Sequence, residues 1–239
     1  MLVLILSLPI LALTATDPID QVANQGVDIF LRSRISGQTV RQCSCTEQRE
    51  CVEEMKAQAK ECTVPCFARF DKITDRPNDL KKCFDDKDDI LQGFLNCFEQ
   101  RVDGCVTDEN GPQISKTNIA ALFAIGEKRI VHQTATMQAI IAPIKNIIDA
   151  AGEFAVCVKD CFINKNINGY CFDKKNCQPY ISENKAKASL RQCTKRMNWK
   201  REAGEFCECS VDAGVTELKQ YCTMFRLMGK RPNNNKRRS

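Results

Sequence analysis

Sixteen cysteines are the residues of this chain whose type and spacing most directly suggest chemistry. Cysteine sulfur forms disulfides, ligates metals or, as a thiolate, attacks electrophiles. Eight cysteines form a first cluster and eight form a second cluster, with none between residues 105 and 157. Two even clusters behind an apolar N-terminus predict two modules, each closed by its own disulfides, because secreted chains fold in an oxidising environment. The first cluster is Cys43, Cys45, Cys51, Cys62, Cys66, Cys83, Cys97 and Cys105, and the second cluster is Cys157, Cys161, Cys171, Cys177, Cys193, Cys207, Cys209 and Cys222.

Metal binding and cysteine catalysis are the rival uses of these thiols. Structural zinc sites use Cys-x-x-Cys pairs or spaced histidines, whereas this chain has no Cys-x-x-Cys and a single histidine, His132. A nucleophilic cysteine needs a partnering base, and His132 lies in an apolar segment. The acidic run 85–89 lacks the glycine and the terminal glutamate of an EF-hand calcium loop. We therefore predict no catalytic residue, no metal ligand and no cofactor.

The N-terminal segment predicts the compartment. Residues 2–13 are almost wholly apolar and small residues follow them, which is typical of a secretory signal peptide covering residues 1–15. The run is shorter than the roughly 20 residues that span a bilayer. A retained anchor and a buried first helix are the alternatives. Charges interrupt every later apolar segment, so we predict a secreted, extracellular protein without a transmembrane segment.

The net charge of +5 comes from the C-terminus. Five basic residues lie within the last ten positions, and without them the rest of the chain is neutral. A neutral body argues against nucleic-acid binding. We predict a disordered basic tail over residues 229–239 that is either a solvated end, a tether to matrix glycans or a site of dibasic processing. The five residues are Lys230, Arg231, Lys236, Arg237 and Arg238.

The periodicity of apolar residues predicts an all-α fold. Ser44 and Glu47 have the spacing of a capping box, and the helix that they open carries Cys51, Cys62 and Cys66 before a predicted break at Pro65. Patterns that alternate with period two are nearly absent, so strands are not predicted. The fold class is therefore all-α and disulfide-rich.

Two helical modules and a central helix are the predicted organisation. After a turn-rich break, residues 114–155 contain no cysteine and repeat apolar residues at helical spacing, with a kink expected at Pro143. The predicted units are a first cysteine-rich module (16–106), a cysteine-free central helix (107–155) and a second cysteine-rich module (156–228).

The cysteine spacing restricts the pairing without fixing it. Cys62/Cys66 and Cys157/Cys161 are Cys-x-x-x-Cys pairs, which place both sulfurs on one helical face and favour bridges to a neighbouring element. Cys43 and Cys45 should bond to separate partners, as should Cys207 and Cys209. Cys171 and Cys177 are predicted to form a local bridge around a polar loop.

The run ECTVPCFARFDKITDRPNDLKKCFDDKDDILQGFLNCFEQRVDGCV resembles the cysteine-rich domain named after chondroitin proteoglycan 4, in which paired cysteines are followed by Phe. The likeness covers residues 43–222 and implies an extracellular or matrix role without catalysis. Chondroitin attachment favours Ser-Gly in an acidic setting. The single Ser-Gly here, Ser36-Gly37, follows Arg32 and Arg34. That context disfavours a glycosaminoglycan chain.

The run CSCTEQREC is similar to the start of GDNF-receptor-alpha-type helical domains, which implies a ligand-binding or co-receptor module.

The leading functional hypothesis is a secreted, non-catalytic interaction or matrix-associated protein whose partner is an extracellular protein or a matrix glycan. The alternative from another class is a lipid or fatty-acid carrier, in which the apolar stripe from Ile119 to Ile148 lines a cavity for a small lipid.

Overall fold

The computed structural model describes residues 18–102, 104–136 and 142–229, and helices account for most of them. The predicted signal peptide, the basic tail beyond residue 229 and residues 137–141 of the predicted central helix lie outside the described residues. The predicted all-α, disulfide-rich fold class is confirmed. The helices are α1 (Pro18–Arg32), α2 (Cys45–Cys66), α3 (Pro77–Asp85), α4 (Asp88–Val102), α5 (Ile119–Thr136), α6 (Lys145–Lys165), α7 (Cys171–Lys174), α8 (Glu183–Met197), α9 (Trp199–Asp212) and α10 (Lys219–Gly229).

Helix α2 begins at the predicted capping box. The Ser44 side chain accepts a hydrogen bond from the Glu47 backbone N–H, and the Glu47 carboxylate accepts one from the Ser44 backbone N–H. The helix then continues to Cys66, so the predicted break at Pro65 is wrong. Pro65 lies in the last turn of α2, so its missing N–H removes only a hydrogen bond near the end of the helix. The chain then enters a 3₁₀ turn at Phe67.

A small three-stranded sheet, which the sequence did not predict, accompanies the helices. Strand β1 (Arg34–Gln42) lies in the centre, between the antiparallel β2 (Gln113–Thr117) and the parallel β3 (Cys177–Gln178). The register of β1 against β2 shifts between Arg34 and Thr39, and Gly37 within this irregularity has a φ of 71°. Strand β1 is mostly polar, and β2 and β3 have only five and two residues, so the strands lack the alternation that reveals a strand in a sequence.

The predicted central helix is not continuous. Residues 113–117 form β2, and α5 and α6 are separate helices with a 3₁₀ turn at Ala142–Ile144 before α6. Pro143 lies in that turn, where it cannot donate a helical hydrogen bond. Helix α6 also continues ten residues beyond the predicted boundary at 155 and carries Cys157 and Cys161. The boundary between the central helix and the second module therefore does not exist as a break in the chain.

The largest buried cluster among the described residues draws on both cysteine-rich modules and on the central segment between them. Phe70 and Leu80 come from the first half, and they pack with Ile147, Phe154 and Val215. The rings of Phe70 and Phe154 are 5.1 Å apart between centroids. One core thus stabilises both halves, because burial of these side chains depends on residues from each.

Candidate functional site

All sixteen cysteines are paired, and six of the eight disulfides join the first cluster to the second. One bridge lies within each cluster, Cys45–Cys105 in the first and Cys207–Cys222 in the second. The expectation that each cluster closes its own bridges is therefore wrong. The bridges that join the clusters are Cys43–Cys177, Cys51–Cys171, Cys62–Cys161, Cys66–Cys157, Cys83–Cys209 and Cys97–Cys193.

Four of these bridges form a nested ladder. From Cys43 to Cys66 the chain runs forward, while the bonded partners run backward from Cys177 to Cys157. The two inner bridges join α2 to α6 and show that these helices pack in antiparallel directions, and the two outer bridges continue the same order through α7 and β3. A signal for it exists in the sequence, because the intervals between cysteines mirror each other. Outward from the innermost bridge, they are four, eleven and eight positions on one side and four, ten and six on the other.

The local predictions about cysteine geometry have mixed outcomes. Both Cys-x-x-x-Cys pairs bridge to a neighbouring helix, as predicted. Cys43 and Cys45 bond to separate partners, and so do Cys207 and Cys209. The predicted bridge between Cys171 and Cys177 is wrong. Short helix α7 places Cys171 against α2, and β3 places Cys177 beside the end of β1.

An ion pair joins β1 to α2. Arg41 donates hydrogen bonds of 2.9 and 2.8 Å to the two carboxylate oxygens of Glu47 and one of 3.2 Å to the carbonyl oxygen of Lys175. Hydrogen bonds from Arg41, followed by those from Ser44, lower the pKa of Glu47 to about 2. Because the fold itself occupies this carboxylate, Glu47 holds the sheet against the helix and is not available to a ligand.

The acidic run 85–89, at the junction of α3 and α4, also serves the fold. Asp85 pairs with Lys81 at 2.6 Å, and Asp88 pairs with Lys60 of α2 at 3.1 Å. Across the described ranges, no group of three or more His, Cys, Asp or Glu side chains is placed to hold a metal ion.

A cleft of about 320 Å³ lies against the sheet. Residues 113–115 of β2 and residues 179–181 after β3 line it, together with Phe30 of α1 and Arg34 of β1. We call it the Arg34 cleft. Its residues come from three distant parts of the chain, and no motif in the sequence marks any of them as part of a site. No spacing signal links them, because they meet only once the sheet has formed.

Arg34 is the cation of this cleft. Its guanidinium carbon lies 5.5 Å from the centroid of the Phe30 ring, within range of a cation–π interaction. None of the residues lining the cleft is acidic. Arg34 is exposed, and Tyr180 leaves 45% of its surface accessible. Arg and Tyr are enriched at the positions that dominate protein–protein binding energy, so this cleft has the composition of a binding surface.

Strand β2 presents a free edge to the cleft at Gln113 and Ser115, whereas the backbone N–H and C=O of Thr117 are bonded to the side-chain amide of Gln178. The Gln42 N–H donates to the Pro112 carbonyl oxygen, which marks a hydrogen-bonded pair. Alternation along an antiparallel ladder then makes Val40 and Ile114 the next such pair. The N–H and C=O groups of Gln113 and Ser115 consequently point away from β1. Both residues are exposed, and β2 is a terminal strand of the sheet.

No family model, curated protein or solved structure matches the chain. None of the helices among the described residues combines the length and apolar character that crossing a membrane requires. The eight disulfides indicate an extracellular or otherwise oxidising environment.

Proposed function

We propose that the protein is secreted and acts outside the cell as a non-catalytic interaction or matrix-associated protein. The observation that carries this proposal is that every cysteine is used in a disulfide and that six bridges join distant segments. Such frameworks persist in oxidising compartments and are rare in the cytosol. The predicted signal peptide over residues 1–15 supports the same compartment.

The cross-links also support binding over turnover. A cysteine in a disulfide is neither a thiolate nucleophile nor a metal ligand, so these sixteen residues serve the fold. The Arg34 cleft supplies a cation, aromatic rings and exposed backbone, which suit the recognition of another molecule. The proposed partner is an extracellular protein, and the basic tail adds attraction to anionic matrix glycans.

Secretion is tested with the full chain expressed in eukaryotic cells. We expect the protein in the medium, with a mature N-terminus near Thr16 and a mass that rises by sixteen hydrogens after reduction. The matched control lacks residues 1–15 and should stay in the cytosol with reduced thiols. Full-length chain retained in cells with free thiols would contradict the proposal.

Partner binding is tested with the purified, oxidised protein on a surface over which extracellular fluid is passed. Saturable binding to the oxidised protein, absent from a reduced and alkylated control, is the expected result. Binding that is equal on both surfaces would mean that the folded framework recognises nothing.

A lipid carrier is the second candidate, favoured by the packing of α4. The Lys60–Asp88 ion pair holds this helix to α2, and the Cys97–Cys193 bridge holds it to α8. Its apolar residues Leu91, Leu95 and Phe98 lie on one stripe, yet all three are only partly buried. An acyl chain lying along this stripe would remove its remaining apolar surface from water, which is favourable.

The described part of the stripe from Ile119 to Ile148 shows the same incomplete burial at Ile119, Leu122 and Phe123. Organic extraction of the purified protein, followed by mass spectrometry, tests the carrier function. A fatty acid at a stoichiometry near one per chain would support it. A Phe98→Asp variant should then carry less lipid, whereas the absence of any stoichiometric lipid in the unaltered protein would exclude this candidate.

A further inference from the structure

We propose that the Arg34 cleft binds an extended segment of a partner protein, which pairs with the free edge of β2 and places an acidic side chain against Arg34. The inference rests on the proposed interaction role and specifies its site and the chemistry of its partner.

The edge of β2 supports an extended peptide as the occupant. Gln113 and Ser115 direct two N–H and two C=O groups away from β1, and both residues line the cleft. An incoming strand supplies the same alternation of donors and acceptors at the same repeat, which is the basis of recognition by strand addition. A sugar chain has no such repeat, so the backbone edge favours a peptide over a glycan.

The charges near this edge favour an acidic side chain in that peptide. Arg34 makes a cation–π contact with Phe30, and no ion pair involves it within the part of the chain that the structure describes. Lys116, the residue after Ser115, likewise has no acidic partner among the described residues. A carboxylate in the cleft would therefore meet a guanidinium able to bind it through two parallel hydrogen bonds.

The remaining lining favours an apolar residue next to the acidic one. Ile114 and Ile181 are partly buried, and the ring of Tyr180 is exposed at 45% of its surface. A volume of about 320 Å³ is enough for one or two side chains of a bound segment. The predicted ligand is thus an extended stretch of β-forming residues with an acidic residue beside an apolar one.

The test is a selection of random twelve-residue peptides displayed on phage against the oxidised full-length protein. We expect enriched sequences that share Asp or Glu at a fixed position among β-branched and aromatic residues. The best peptide is then synthesised, and its affinity is measured by fluorescence anisotropy. Replacing its acidic residue by the corresponding amide and the variant Arg34→Gln should each weaken binding by about tenfold or more.

Two changes test strand addition separately from charge. Ser115→Pro removes the outward N–H while leaving the bonds to β1, since proline is tolerated at the outer edge of a sheet, and it should abolish binding. The second change is in the peptide, so that folding of the variant is not at issue. N-methylation of amides on the edge that faces β2 should abolish binding, and N-methylation on the opposite edge should not.

The outcomes separate this inference from the broader role. No enrichment, enrichment without an acidic residue, or binding unaffected by Ser115→Pro and N-methylation would overturn the inference, even if the native protein still binds an extracellular partner. Heparin binding that is lost in Arg34→Gln and kept in Ser115→Pro would assign the cleft to an anionic glycan instead. A dimer of this chain that Ser115→Pro dissociates would show that the edge pairs with a second copy.

Discussion

A bridge within the nested ladder should stabilise the fold less than its span in the sequence suggests. Cys62 and Cys161 are 99 positions apart, and an isolated bridge closing a loop of about 100 residues contributes about 4.7 kcal/mol through the entropy of the unfolded chain. In the intact framework, Cys66–Cys157 already holds the same segments together. The loop closed by Cys62–Cys161 then has about ten residues, which corresponds to about 2.7 kcal/mol.

The control is the Cys207–Cys222 bridge, which spans 15 positions and lies inside no ladder. The same relation gives it about 3 kcal/mol. Cys62, Cys207 and Cys222 are buried, so alanine at each bridge also removes packed sulfur. The spans of the two bridges differ more than sixfold. We nevertheless expect the Cys62→Ala/Cys161→Ala and Cys207→Ala/Cys222→Ala variants to show decreases in the free energy of unfolding that agree to within about 1 kcal/mol.

Guanidinium unfolding of the non-reduced proteins, followed by far-ultraviolet circular dichroism, measures both losses. If the Cys62→Ala/Cys161→Ala variant lost about 2 kcal/mol more than the control, the bridge would be closing a long loop by itself. The nested arrangement would then be refuted.

Four further substitutions concern single residues. A Cβ at Gly111 would lie 2.3 Å from the carbonyl oxygen of Gln42, so Gly111→Ala should lower the melting temperature. A Cβ at Gly93 meets nothing within 4 Å, so Gly93→Ala should stabilise helix α4 by about 0.5–1 kcal/mol. The folded state lowers the pKa of Glu47 from 4.5 to about 2, so this carboxylate stabilises the protein above pH 4.5 and loses that effect as the pH falls towards 2. Glu47→Gln should therefore unfold more easily by about 1–2 kcal/mol at pH 7 and match the unaltered protein near pH 2 in parallel denaturant titrations. Phe154→Ala should destabilise by about 3–5 kcal/mol in the same assay, because Phe154 is 2% exposed in the largest core cluster, and a loss below about 1 kcal/mol would contradict that packing.

Local signals in the sequence were sufficient for the helical fold class and for the start of α2. The capping box is formed by Ser44 and Glu47, which are three positions apart in the chain, so the sequence alone was enough to predict it. Ser182, a residue type that favours the N-cap position, likewise directly precedes α8, although its side chain makes no capping hydrogen bond there. The sheet was not predictable, because β1 gains its partners from segments far along the chain and its own residues are mostly polar.

The disulfide pairing between the two clusters was not predictable from the positions of the cysteines along the chain. Grouping cysteines by proximity in the chain assumes that neighbours pair, whereas α2 and α6 bring distant cysteines together by packing in antiparallel directions. The mirrored intervals hold that information, but they gain meaning only when two helices are already placed side by side. The Arg34 cleft has no counterpart in the sequence, because the outward direction of Gln113 and Ser115 depends on the register of β1 against β2.

Mapping the disulfides of the secreted protein is the most direct test of a framework that joins the two clusters. Trypsin should release residues 88–101 bound to residues 192–195 through Cys97–Cys193, a pair in which each peptide contains one cysteine. This linked mass should be present before reduction and should resolve into its two peptides afterwards. Bridges confined to residues 43–105 and 157–222, with Cys171 bonded to Cys177, would instead show two separate modules and would contradict the account.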